Sequence, residues 1–200
     1  MFSRKEPKQH LLGLPAELRE QIFIYAVSSK KPVVTFRLDS YQRDSYQEAV
    51  QPSITRVSRQ VRREALPLFY DANEFVVHSE GSKVEDALMW FRCSQPHLPR
   101  LFRLAIWVRY IPLPTEHAAS SGAMSVTMRH NVHSGVWEVD EEWRWITVVR
   151  RPAQLAFDGE LLVRILSDLI AAKSRITMSV EDYATLLENL RMAYFKDKMS

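Results

Sequence analysis

Residues 14–27, LPAELREQIFIYAV, spell a helix that is apolar on two sides, so any fold that holds it has to cover both. Pro15 stands at its start, where the missing N–H would be unpaired anyway, and Glu17 places negative charge in the first turn. At about 100° per residue, Leu18, Ile22, Tyr25 and Ala26 fall in one stripe, the ordinary core-facing pattern of a surface helix. Ala16, Phe23 and Val27 fall on a second arc with Ile24 near its edge, and Arg19, Glu20 and Gln21 form only narrow polar seams. Two covers are open for that second arc: the chain's own core, or the surface of a partner.

The rest of the chain interleaves helices with strands. PVVTFRL at 32–38 alternates with the period of a half-buried strand, and the polar run 39–51 reads as a loop. From Ser53 the helical period returns, with Ile54, Val57, Val61, Ala65 and Leu68 on one face, and Pro67 is expected to end or kink that helix. NEFVVHS at 73–79 reads as a strand, 82–94 as a helix, and LFRLAIWVRYI at 101–111 as a strand rich in residues that suit a pleated surface. Pro112 to Gly135 carries prolines, serines and two of the five glycines, and is expected to leave the core. WEVDEEWRWITVV at 137–149 predicts a hairpin turning at Asp140 to Glu142. A helix over 158–173, a short strand at 175–179 and a last helix to about residue 195 complete the chain. Ser179 with Asp182 three places on has the spacing of a capping box. Separated strands among clustered helices, without regular βαβ alternation, predict an α+β domain with a mostly antiparallel sheet.

Composition narrows the function. With 200 residues, 46% hydrophobic and 26% charged, one domain of ordinary globular composition is expected. No apolar run approaches the roughly 18 residues of a membrane span, and residues 1–10 read as a flexible arm without the apolar core of a secretory signal. The expectation is an intracellular protein, in cytoplasm or nucleus, with no membrane partner. The single cysteine, Cys93, leaves no intrachain disulfide and no multi-thiolate zinc site. His130 with His133, and Cys93 with His97, have metal-like spacings but lack further ligands nearby, so neither a metal nor any other cofactor is expected. No nucleophile elbow, zinc-protease helix or glycine-rich phosphate loop appears, so the chain is expected not to be an enzyme and no catalytic residue is named. A net charge of +3 falls short of a dedicated nucleic-acid binder. Arg56, Arg59 and Arg63 lie on one arc of the second helix, either as an anion-binding stripe or as a solvated face. Trp107, Trp137, Trp143 and Trp145 are open to the same choice between a base-stacking platform and internal packing.

Leu14-Pro15, Glu17-Leu18 and Ile22, followed by Val57-Ser58-Arg59 and Arg62, resemble the two halves of an F-box. The run Glu64-Ala65-Leu66-Pro67-Leu68-Phe69-Tyr70, with Asn73 and Phe75, resembles the divergent F-box-like proteins of filamentous fungi in particular. The likeness covers residues 11–78 and leaves 79–200 as an α+β remainder, expected to be continuous with it as one domain. It implies F-box-like helices packed on the sheet and a non-enzymatic adaptor that docks on a Skp-family protein of a cullin-RING ubiquitin ligase while holding an unknown protein substrate. The docking residues it implies are Leu14, Pro15, Leu18, Ile22, Phe23, Val27, Val57 and Val61. Two other readings stand beside it: a self-contained interaction or regulatory domain that docks on no adaptor, and a weak nucleic-acid binder.

Overall fold

The computed structural model describes residues 10–38, 42–112, 122–131, 134–146, 152, 155–173 and 177–199. In chain order the elements are α1 (Ala16–Val27), β1 (Val33–Val34), β2 (Gln47–Glu48), α2 (Arg59–Ala72), β3 (Glu74–His78), α3 (Ser82–Cys93), β4 (Arg103–Arg109), β5 (Ala123–Asn131), β6 (Val136–Val139), β7 (Arg144–Ile146), α4 (Leu155–Ala171) and α5 (Val180–Met199). Short 3-10 turns occupy Leu11–Gly13, Ser53–Arg56 and Gln95–Arg100. The strands form one mixed sheet in the order β2-β1-β3-β4-β5, with β6 and β7 both on the outer edge of β5. The α+β class is as the sequence predicts. The pairings of β1 with β2, β1 with β3 and β3 with β4 are parallel, and those involving β5 are antiparallel.

Alternation along the strands sends one set of side chains to the helices and the other set away. Phe75, Val77, Leu104, Ile106, Val126 and Met128 join one core cluster with α1, α2, α3, α4 and α5. Val34, Val76, Ala105 and Trp107 point the other way and meet Phe36 and Leu38 in a smaller cluster. Within the main cluster Phe91 of α3 stacks on Tyr183 of α5, with ring centroids 4.4 Å apart. α1 and α2 thus share one core cluster with α3, α4 and α5.

Several sequence expectations are corrected. Ala123–Asn131, inside the stretch expected to leave the core, is a nine-residue strand paired with β4 on one side and β6 and β7 on the other. The hairpin expected over 137–149 does not form. Its arms, β6 and β7, pair with opposite ends of β5, and the Asp140 N–H continues the ladder to the Thr127 carbonyl at 2.9 Å. Residues 147–149 lie outside the described residues, as do 175 and 176 of the expected short strand, while Thr177–Ser179 is not strand. The helix expected from Ser53 is interrupted at Val57 and Ser58. Ser58 then caps α2, its Oγ accepting from the Val61 N–H at 3.1 Å. Pro67 does not end α2, which continues to Ala72. A proline inside a helix costs about 3 kcal/mol. Burying Phe69 and Tyr70 in the next turn, worth roughly 1.5–3 kcal/mol each, offsets that cost.

The capping box at α5 forms as the spacing predicts, with the Asp182 N–H donating to Ser179 Oγ at 3.2 Å and the Ser179 N–H donating to Asp182 Oδ2 at 2.9 Å. Lys173, just beyond α4, donates to Asp182 Oδ1 at 2.8 Å and so ties the end of α4 to the start of α5. The Lys173 hydrogen bond and the Ser179 N–H hold the Asp182 carboxyl down at about 2, against an ordinary 3.8. A carboxyl depressed in the folded state binds its proton more tightly when unfolded, so its contribution is complete above about pH 4 and is lost as pH falls toward 2. Asp182→Asn is therefore expected to leave a shallower loss of stability between pH 5 and pH 2.5 than the wild type shows, measured as urea midpoints across that range.

Candidate partner-docking surface

Two polar devices fix which side of α1 turns inward. Arg19 donates through Nε and Nη2 to the Glu64 carboxylate of α2, at 2.8 and 3.1 Å, and through Nη1 to the Leu14 carbonyl at 2.6 Å. Gln60 donates to the same carboxylate at 3.0 Å. These hydrogen bonds, that from Arg19 first, hold the Glu64 carboxyl below its ordinary range. At the other end of α1, buried Asn73 uses its whole amide. Its Nδ2 donates to the Val27 carbonyl at 3.0 Å and to the Phe69 carbonyl at 2.7 Å, while its Oδ1 accepts from the Ser29 N–H at 2.6 Å. One side chain thus satisfies carbonyls at the C-terminal ends of both α1 and α2, groups that would otherwise have no partner.

With Arg19 turned toward α2, the residues four and eight places on, Phe23 and Val27, face inward and are 0% and 4% exposed. This reverses the order of the two arcs. The stripe expected to face the core is outside, with Leu18 47%, Ile22 41% and Tyr25 90% exposed. Three of the expected docking residues are correspondingly corrected, because Phe23, Val27 and Val61 belong to the core and present nothing to a partner. Leu14 is half-buried, Pro15 is exposed, and Val57, in the break before α2, is 73% exposed. Pro15, Leu18, Ile22 and Tyr25 recur at spacings of three, four and three, so they form one narrow seam along the outside of α1. Such a seam is the form in which a helix enters an apolar groove on another protein.

The other sequence-level candidates separate. Arg56 sits in the 3-10 turn and Arg59 and Arg63 on α2, with the Val57–Ser58 break between, so the three arginines do not share one helix face. Arg59 and Arg63 remain as an exposed pair at helical spacing. Trp107 lies in the small cluster and Trp137 in the main one, on opposite faces of the sheet, which leaves no common stacking platform. Of the acids near the expected turn, Asp140 pairs with Arg103 at 2.7 Å and Glu138 with Arg129 at 3.8 Å. Cys93 and His97 line one pocket, and His133 lies outside the described residues. Among the described residues no three His, Cys, Asp or Glu converge as metal ligands, and no helix is long and apolar enough to cross a membrane.

Arg19 stands in the sequence only as part of a polar seam, and Glu64 and Asn73 only through the resemblance; the pairing of Arg19 with Glu64 was not legible. The only sequence signal for it was that a charged residue interrupts the arc that Phe23 and Val27 define. No family model, curated protein or solved structure matches the chain.

Proposed function

We propose that this chain is a non-enzymatic, F-box-like interaction adaptor whose docking surface is the outer seam of α1, and that it docks on a Skp-family adaptor as the substrate-recognition subunit of a cullin-RING ubiquitin ligase. The observation that carries the reading is the seam itself, above all Tyr25, a large aromatic side chain left 90% exposed beside Leu18 and Ile22. Exposed aromatics flanked by aliphatic residues are the usual anchors of protein interfaces. Residues 79–200 then hold the unknown protein substrate.

A second reading has its own support. The segment between the two F-box-like halves supplies β1 and β2 to the sheet, and Phe23 packs in the shared core. Those facts favour a self-contained interaction or regulatory domain in which the same helices are only structural. A nucleic-acid role ranks third, resting on Arg59 and Arg63 alone.

Calorimetric titration of the full chain with a Skp-family adaptor separates the readings. Binding by the wild type that weakens about tenfold or more in Ile22→Asp and in Tyr25→Asp, with unchanged melting temperatures, is the expected result. Absence of binding by a folded wild type would reject adaptor docking and leave the self-contained domain.

A further inference from the structure

A pocket of about 280 Å³ opens between α2, the end of α3 and the residues that follow β2. Its floor is aromatic: the His97 ring stacks on Tyr70 with centroids 4.9 Å apart and planes 13° apart, and Trp90 leans on Tyr70 at 6.1 Å. Leu66 and Phe69 extend the apolar lining.

Against that floor stand a few polar groups with unused capacity. Arg62 Nε donates to the Thr55 carbonyl at 3.2 Å, and the Gln51 amide, with its oxygen turned to the guanidinium, accepts from Nε and Nη2 at 3.2 and 3.3 Å. The guanidinium is thus oriented without being neutralised, since no carboxylate pairs with it among the described residues. Ser94, 2% exposed, accepts from the Tyr70 hydroxyl at 3.0 Å, while its own hydrogen meets no acceptor among the described residues. Burial first and Arg100 next lower the His97 pKa below its ordinary value, so the pocket's positive charge rests on Arg62. The adjoining hollow, which shares Ala49, Trp90 and Cys93, carries charges of both signs, Glu48 and Asp86 with Arg37.

We infer that the pocket binds a small aromatic carboxylate, its ring on the half-buried Trp90 and His97 rings and its carboxylate at Arg62. An oriented guanidinium matches a carboxylate with two parallel hydrogen bonds, and an aromatic floor accepts a flat apolar body. The size suits one ring with a short arm, just below the range of drug-sized sites. The Ser94 hydroxyl hydrogen offers a further bond to an acceptor on the ring. This site is separate from the α1 seam and does not depend on whether that seam docks.

Phenylacetate, its neutral analogue phenylacetamide, and acetate are the probes, titrated into the full chain and followed by ligand-observed NMR. Phenylacetate is expected to bind with a dissociation constant near 1 mM, on the order set by about ten non-hydrogen atoms. Phenylacetamide and acetate are each expected to bind about tenfold or more weaker, the first for want of charge and the second for want of a ring. Arg62→Gln, at an exposed position, is expected to bring phenylacetate down to the level of the amide with the fold intact. Arg63→Gln, one residue along α2 and outside the pocket, is expected to bind as the wild type does. Equal binding of acid and amide, an unchanged affinity in Arg62→Gln, an equal loss in Arg63→Gln, or no phenylacetate binding up to about 10 mM would each overturn the proposal.

Discussion

Asp158→Leu is expected to lower stability by about 3–5 kcal/mol, because it strips the partner from a buried cation. The Asp158 side chain is 0% exposed and the Lys198 side chain 6%, and Lys198 Nζ donates to both carboxylate oxygens at 3.1 and 2.8 Å. Asp158 lies in the first turn of α4 and Lys198 in the last turn of α5, so each charge also faces the helix end that favours its sign. Two tyrosines complete the site. Tyr194 donates its hydroxyl to Asp158 Oδ2 at 3.4 Å, and Lys198 Nζ stands 5.1 Å above the Tyr110 ring. Burial, and after it the Asp158 charge, push the Tyr194 hydroxyl far above its ordinary pKa, so it stays a donor throughout the folded range. For a chain of this size the loss corresponds to a fall in melting temperature of about 6–20 °C. Lys198→Met should cost a similar amount by orphaning the carboxylate, whereas Asp158→Leu combined with Lys198→Met should return most of the loss. Urea unfolding of the two single variants and the double variant gives all three values. Additive losses in the double variant would mean that the two charges do not act as a pair.

Phe23→Asp is the second large effect, and its expected outcome is a chain without a cooperative unfolding transition. Phe23 is 0% exposed in the cluster that joins α1 to the sheet. Losing a buried phenylalanine costs about 3–5 kcal/mol. The aspartate adds a buried unpaired charge worth several more, and the sum reaches the whole stability of an ordinary domain. Ile22→Asp, one residue away and 41% exposed, is expected to change stability by no more than about 1 kcal/mol. Circular-dichroism melts of the two variants side by side would expose an error: comparable melts, or the reverse order, would mean that the wrong arc of α1 has been turned inward.

That contrast also marks the limit of the sequence. Apolar periodicity located α1 and both of its apolar arcs, but periodicity says nothing about which arc is inside when the two are equally apolar. The decision is made by Arg19 with Glu64, 45 residues apart, and by Asn73 reaching the Val27 carbonyl from 46 residues away. Elsewhere local chemistry was enough. The Ser179–Asp182 box, the strand at Glu74–His78 and the helix at Ser82–Cys93 were legible because caps and alternation act over a few residues. β5 was not. Met124, Val126 and Met128 do alternate with Ser125 and Thr127, yet small polar residues and nearby glycines read as loop until β4 and β7 are seen to cover both edges. β6 and β7 failed for a related reason: their alternation is real, but a shared long partner defeats the pairing of near neighbours. The Arg62 pocket was illegible because its walls come from three separated segments and Arg62 entered only through the resemblance.

Hydroxyl-radical footprinting with and without a Skp-family adaptor tests, at the side chains concerned, whether the outer seam of α1 is a protein-docking surface. Tyr25, 90% exposed, should be oxidised rapidly in the free chain and protected in the complex, together with Leu18 and Ile22, while Phe23 should be unreactive in both. A complex that leaves Tyr25 as reactive as before, or protects only residues beyond position 78, would contradict the claim and move the docking surface off α1.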